Sequence, residues 1–403
     1  MAPRDTGTLR RRVTTAWLAL IGTLAISMGA APLKAAAADT SPIAVGLSIT
    51  ETGPFAAPAL FELRGYQLAV EEINSHGGVL GRQLKLVSYD DQGNPSTAVQ
   101  LYQKLITSDH VDLLLGPYEA DLVAAVAPLV TRAKMVMPAL GANVEPYQGQ
   151  FPYLVQAITQ TPQYMVPVID LAAAKGYKTM ALLIQETQFP EELARGIEDE
   201  ARAKGIKVVF KESYPPSTTD FGPLVLKAAA AHPDVIVGAT YLIDAEGIVR
   251  AAKAQNINAK MFAFSIGPVE PQFNTALGSA AQGVLGTTLW FPTLKTPGNA
   301  AFVSAFKAKF GMMPDYHAAV AYSAVIALTS AVKKVGSLDQ GKIRDELHNF
   351  SLQTVCGPFK LSPTGLQVGY SSYVLQWQDG KQILVWPKEF SDAAAQLPHP
   401  AWK

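Results

Sequence analysis

From Ile43 onward the chain alternates between short apolar runs and longer segments with apolar residues at helical spacing. That rhythm confines it to parallel sheets covered by helices on both faces. Residues 43–49 (IAVGLSI) read as a strand. Residues 58–74 read as a helix carrying Leu60, Leu63, Leu68 and Ile73 on its apolar side, ended by the glycine pair after His76. Strands are expected at 83–89, 111–115 and 135–137, with a helix at 96–107 between the first two. The pattern then restarts. Strands are expected at 179–184, 207–212, 235–239, 261–264 and 283–290, and helices at 191–204, 221–231 and 245–255. Two runs of this kind imply two lobes of similar architecture. A long apolar helix follows at 316–335, then a helix at 340–349. Strands at 370–377 and 382–385 form a hairpin turned at Asp379-Gly380, and the tail from Phe390 reads as a surface wrap.

The first 38 residues stand apart. Arg4, Arg10, Arg11 and Arg12 precede an apolar stretch at 16–33, and Ala35 to Ala38 offer a small-residue cleavage site. This is the pattern of a cleaved signal peptide, with a mature chain starting near Asp39, outside the cytoplasm and, in a bacterium, in the periplasm. The sole cysteine, Cys356, is far from that site, so neither a lipid anchor on a mature N-terminal cysteine nor an intrachain disulfide is expected. Without residues 1–38 the chain carries 28 basic and 32 acidic groups, a net charge of −4. Nucleic acid is not an expected partner at that balance. A soluble monomer is.

Signatures of catalysis are missing. The sequence has no GxxxxGK(S/T) phosphate loop, no GxGxxG, no GxSxG elbow and no HExxH. Its six histidines (76, 110, 232, 317, 348 and 399) lack metal-ligand spacing. His76-Gly77-Gly78 follows a helix and precedes a strand, which is a cap and not an oxyanion loop. Asp90-Asp91, before Gln-Gly-Asn-Pro, read as turn-formers. We therefore expect neither an enzyme nor a cofactor or metal site.

Three loops remain as candidates for holding a small molecule: 51–58 after the first strand, 116–120 (Gly-Pro-Tyr-Glu-Ala) after the third, and 138–143 after the fourth. Carboxyl ends of parallel strands share one edge, and ligands of open α/β sheets bind there. Small residues in such loops let a ligand approach backbone N–H groups.

The first loop, the run RGYQLAVEEINSHGGVLGRQLKLVSYDDQGNPSTAV, the run LLLGPYEADLVAAVAPLV, CGPFKLSPTG and YVLQWQDGKQILVWP together resemble the periplasmic solute-binding proteins of ABC importers, of the type that binds branched-chain amino acids. The resemblance covers residues 41–387 and is most specific over 64–94. It implies two doubly wound α/β lobes joined by a three-segment hinge, with crossovers near Thr159, Trp290 and Gly369. Lobe 1 would comprise 39–159 and 291–369, and lobe 2 would comprise 160–290 and 370–403. A small organic solute would lie in the cleft between them for delivery to an ABC permease in the inner membrane. A ligand-sensing module of the same fold is the other reading.

The resemblance also maps a site. In amino-acid binders the loops after the third and fourth strands hold the ligand carboxylate through hydroxyls and backbone groups. Here those positions fall at Ala120 and at Ala139, Leu140, Gly141 and Ala142, and the hydroxyls are absent. Backbone N–H groups, Tyr118 and Asn143 remain as donors, and Glu119 stands where an anion would want no competitor. The ammonium-binding acid of the family lies in a Gly-Pro-Glu context. This chain reads Gly267-Pro268-Val269-Glu270, so Val269 or a shifted Glu270 takes that place. A buried ammonium without a carboxylate is costly. Phe189 takes the place of a stacking tyrosine, with Phe55, Tyr118, Tyr241 and Tyr316 around it. These departures favour an aromatic or aliphatic acid or an amide over an α-amino acid, with a branched-chain amino acid as the alternative.

Overall fold

The computed structural model describes residues 40–53 and 55–402. The expected signal peptide lies outside the described residues. The first run folds as β1 (Ile43–Ile49), α1 (Ala56–Ser75), β2 (Leu84–Asp90), α2 (Pro95–Thr107), β3 (Leu113–Leu114), α3 (Ala120–Ala133), β4 (Met137–Ala139) and β5 (Leu154–Gln156). Its sheet runs β2-β1-β3, all parallel, beside the parallel pair β4-β5. The two pieces are joined where the Gly116 amide donates to the Pro138 carbonyl at 2.8 Å.

The second run gives α4 (Val166–Ala174), β6 (Thr179–Gln185), α5 (Gln188–Ala203), β7 (Lys207–Tyr214), α6 (Gly222–Ala230), β8 (Val235–Ala239), α7 (Leu242–Ala254), β9 (Met261–Phe264), α8 (Pro271–Leu277) and β10 (Leu285–Thr288). Then come α9 (Asn299–Phe310), α10 (Tyr316–Val335), α11 (Gln340–Asn349), the small hairpin β11 (Leu352–Thr354) and β12 (Gly357–Phe359), and a closing hairpin, β13 (Tyr373–Gln378) and β14 (Lys381–Trp386). The second sheet has seven strands in the order β14-β13-β10-β9-β8-β6-β7, parallel except for the closing hairpin.

Strand periodicity explains the layers. Ile43, Val45, Leu47 and Ile49 of β1 face a core shared with α1 and α10, while Ala44 turns toward the cluster under α2 and α3. In β6, Met180, Leu182 and Ile184 join the core with α4 and α5. Ala181 and Leu183 join the cluster with α6, α7 and α8. Both sheets are thus covered on both faces, which is why their strands read as continuous apolar runs. Helix α10 is long and apolar enough to cross a membrane, yet it is mostly buried against α1 and is a core helix. Cys356 is buried, with the Ser323 hydroxyl donating to its Sγ at 3.5 Å, and burial pushes its thiol up to about 12.

The chain crosses between lobes in three segments: after β5, after β10 and before β13. Two are tied directly. The Thr159 hydroxyl donates to the Tyr370 carbonyl at 3.4 Å, and Gln160 Nε2 donates to the Gln367 carbonyl at 3.1 Å. In the third, Trp290 Nε1 donates to Asn299 Oδ1 at 2.7 Å.

The structure differs from the sequence expectation in a few places. The fourth strand begins at Met137, not Met135. Met135 still closes α3, its amide donating to the Val130 carbonyl at 3.0 Å behind a left-handed Lys134 (φ 53). The third strand shrinks to Leu113–Leu114. Helices α4, α8 and α9 carried no clear signal. Buried Val168, Ile169, Leu171 and Ala172 blur the apolar periodicity of α4, and α8 is only 7 residues long.

Candidate functional site

The cleft holds a chain of three spaces. At the centre lies a small cavity of about 40 Å³, lined by Tyr118, Glu119, Ala120, Leu140, Ala142 and Asn143 from the strand-end loops of lobe 1. Glu62 of α1 and Tyr316, His317 and Val320 of α10 close it on that side. Ile158 and Tyr164 of the first crossover, with Phe189 and Ile266 of lobe 2, close it on the other. A volume of this size holds roughly three water molecules. One mouth, about 560 Å³, is lined by Phe55, Asp121, Gln185, Tyr241 and Asp244, and shares Glu119, Ala120 and Phe189 with the cavity. The opposite mouth, about 370 Å³, is lined by Phe61, Glu270, Trp290, Asp315 and Trp377, and shares Tyr316 and His317.

The expected aromatic residues do converge. Phe189 stands edge-on to Tyr164 at 5.4 Å and tilted to Tyr241 at 5.8 Å, and Phe55 lies 6.2 Å from Tyr118. Tyr118 lies 5.7 Å from the His317 ring, which stacks on Tyr316 at 3.9 Å. Seven of the thirteen expected positions touch the central cavity: Tyr118, Glu119, Ala120, Leu140, Ala142, Phe189 and Tyr316. Phe55, Tyr241 and Glu270 line its mouths instead.

Ala139, Gly141 and Gly267 line none of these spaces. Ala139 is packed inside the cluster under α2 and α3, and a Cβ on Gly116 would come within 2.4 Å of its own. Gly141 offers its carbonyl inward, to the Tyr147 hydroxyl at 3.1 Å and to Gln156 Nε2 at 3.2 Å. Gly267 packs against Ala245, which a Cβ would approach to 2.7 Å. Glu270 sits at the N-terminus of α8, and burial raises its carboxyl above the usual range, partly countered by His317.

Electrostatics set this cavity apart. Among its lining residues are two acids, Glu62 and Glu119, and no lysine or arginine. Glu62 is 1% exposed; its Oε1 accepts from the Tyr66 hydroxyl at 2.8 Å and its Oε2 has no partner. Burial pushes its carboxyl up to about 8, with Asp91 and Asp315 adding to the rise. Glu119 caps α3, accepting from the Ala120 amide at 3.0 Å, with its backbone held at φ 81. Positive φ disfavours a side chain. Burial and the Asp121 charge raise its carboxyl to about 7, against hydrogen bonds from Ala120, Tyr241 and the Asp121 backbone. Between the lobes, Glu192 of α5 accepts from the Val144 amide at 2.9 Å. Asn143 is 1% exposed and its amide makes no hydrogen bond of normal geometry, although Glu192 lies beside it.

The turn acids behave as expected. Asp91 accepts from the hydroxyls of Ser48 and Thr50 at 2.6 and 2.7 Å. Asp90 takes bonds from Glu51, Thr52 and Gln92 that outweigh its desolvation and hold it below the usual range. Among the described residues no group of three or more metal-ligating side chains is gathered.

Glu62, Ile158, Tyr164, Ile266, His317 and Val320 were not read from the sequence as site residues. The signal for Glu62 was an acid at the buried spacing of α1, four residues before Tyr66.

The sequence pattern of the periplasmic binding protein family matches residues 42–382. The chain belongs to that family. The Leu/Ile/Val-binding protein homolog 7 of Brucella suis is 26% identical over 398 residues, covering 93% of this chain and 98% of the relative. The leucine-, isoleucine-, valine-, threonine- and alanine-binding protein of Pseudomonas aeruginosa is 27% identical, covering 92% and 96%. Two solved structures share the fold. A branched-chain amino acid transporter substrate-binding protein from Streptococcus pneumoniae, in complex with isoleucine, superposes with a TM-score of 0.77 at 23% identity, covering 89% of this chain and all of that one. An ABC-transporter solute-binding protein from R. palustris, in complex with benzoate, gives 0.73 at 22% identity, covering 89% and 97%. In this chain the cleft lies between two parallel-sheet lobes at the strand carboxyl ends.

Proposed function

We propose that this periplasmic binding protein is the substrate-binding component of an ABC importer, exported by its N-terminal segment. It carries a small organic solute, an amide in preference to a free acid or an α-amino acid, to a membrane permease. The lobes divide at 159/160, 290/291 and 369/370, and the solute occupies the central cavity, with Phe189 as an aromatic wall. The observation that carries the head-group preference is Glu119. Its own carboxylate takes the Ala120 amide at the start of α3, which is where a solute carboxylate would seek backbone donors. With no lysine or arginine in the lining, a solute anion would be buried beside two acids.

A branched-chain amino acid is the second reading. The relatives named above favour it, as does the apolar wall of Leu140, Ile158, Ile266 and Val320. One premise drawn from the sequence changes here: with Glu270 at the mouth, the cavity still offers an ammonium two carboxyls, Glu62 and Glu119. A thermal-shift screen of amides, amines, aliphatic acids, aromatic acids and amino acids tests both readings. A bound solute at a hundred times its dissociation constant should add about 2.7 kcal/mol. A shift confined to branched-chain amino acids would establish the second reading and exclude the first.

Two substitutions separate wall from mouth. Phe189→Ala should weaken binding of the best hit by about 1 to 3 kcal/mol, by loss of a buried aromatic face. Glu270→Gln should change it by less than about tenfold, because Glu270 lines the mouth. Isothermal titration of both variants checks the pair, and a reversed order would move the solute out of the central cavity.

A further inference from the structure

We propose that Glu62, on the first helix and not on any strand-end loop, receives the polar head of the solute, with Oε2 of its carboxyl taking an N–H group of the bound molecule. The inference rests on the cleft reading above and deepens it to a head-group chemistry. Three observations carry it. Glu62 lines the central cavity. It is 1% exposed, so its carboxyl is closed off from bulk solvent. Its Oε1 is engaged by Tyr66 while Oε2 has no partner, and an unpaired buried polar atom is a cost that a bound group removes.

The surroundings decide which group fits. Glu62 faces Tyr66 on its own helix, Asp91 after β2, Tyr102 on α2, Tyr118 after β3, and Asp315 with His317 at the start of α10. His317 is the one potential cation among them, and its Nδ1 is taken by Asp315 at 2.8 Å. At neutral pH the Glu62 carboxyl is mostly protonated, consistent with its burial among acids. With Oε1 taken by Tyr66, only Oε2 is free; an amide N–H at Oε2 leaves the carboxyl proton on the Oε1 side, shared with the Tyr66 hydroxyl. An ammonium would instead displace the carboxyl proton to solvent and pair with the carboxylate left behind. A solute carboxylate would add one more negative charge to the cluster. The shared chemistry is an N–H donor without a carboxylate.

The test is isothermal titration at pH 7 with isobutyramide, isobutylamine and isobutyrate, which share a body and differ in the head. Wild-type protein and Glu62→Gln are compared, and thermal unfolding of the variant shows that it is folded. The amide and the amine should bind the wild type at least about tenfold more tightly than isobutyrate. Glu62→Gln should lose about tenfold or more for the amine and less for the amide. Titrating the amine in two buffers of different ionisation enthalpy should reveal proton release in the wild type and none in the variant. Isobutyrate binding as tightly as the amide, or a variant binding all three probes as the wild type does, would overturn the role of Glu62 and leave the cleft standing as a solute site. A wild-type protein that binds none of the three would overturn the proposed amide preference together with this inference.

Discussion

Replacing Glu62 by glutamine should flatten the pH dependence of this protein's stability. In the folded chain the Glu62 carboxyl is pushed up to about 8, against a usual value of 4.5. Below that usual value the group is protonated in both states and costs nothing. As pH rises, the unfolded chain ionises first and gains solvation that the buried carboxyl lacks. Stability therefore falls across the window from about 4.5 to about 8 and levels above it. Between pH 5 and pH 8 this one group should remove on the order of 3 kcal/mol from the wild type. Glutamine keeps an acceptor for the Tyr66 hydroxyl and has no proton to lose. The variant should be the more stable protein at pH 8 and close to the wild type at pH 5. Urea unfolding at both pH values measures the difference. A variant that loses as much stability as the wild type between them would place the titrating group elsewhere. Glu119, raised to about 7, and Glu270, also raised, add smaller slopes of the same sign.

Gly65→Ala should strongly destabilise the packing of α1 against α10 in lobe 1. Helices α1 and α10 cross at this residue. A Cβ there would stand 2.2 Å from the Ala318 carbonyl oxygen, 2.9 Å from its carbon and 3.0 Å from its Cα. All three are backbone atoms, so no rotamer change relieves the clash and the helices must part. Overpacking of this kind costs about 1 to 3 kcal/mol, and a clash with rigid backbone lies at the upper end. The loss should exceed the roughly 1 kcal/mol that alanine recovers in helix propensity. The same crossing carries Glu62 and Tyr66 on one helix and Tyr316 and His317 on the other, so a parted pair also widens the cavity floor. Denaturant unfolding gives the stability, and a loss below about 1 kcal/mol would mean that the helices do not meet this closely.

How much of this was legible beforehand follows from what each signal measures. Alternation of apolar runs and helical spacing reports burial, so β6 to β10 and α10 stood out, and the parallel two-lobed fold with them. Residues 135–137 failed because apolar character alone cannot separate the end of a helix from the start of a strand. The left-handed turn at Lys134 makes that division. At the site, Tyr118, Glu119 and Phe189 were legible because strand-end loops and a family pattern point to them. Glu62 was not, because an acid in an amphipathic helix ordinarily faces water. Only the crossing of α10 over α1 turns that face inward. Ala139 and Gly141 were expected at the ligand by position in the loop, but the chain turns them into the lobe's own packing. Glu270 kept its place in sequence, and the buried Val269 beside it leaves the acid at the mouth.

The central claim is that a small solute is held between two lobes that must part to admit it. A central cavity of about 40 Å³, ringed by residues of both lobes, is too small for an organic solute, so the lobes must move apart to seat one there. Small-angle X-ray scattering of the mature protein, with and without a saturating concentration of the best hit from the thermal-shift screen, tests this directly. A lower radius of gyration in the bound state is the predicted result. An unchanged radius at saturation would contradict closure around the solute and place the binding site outside the cleft.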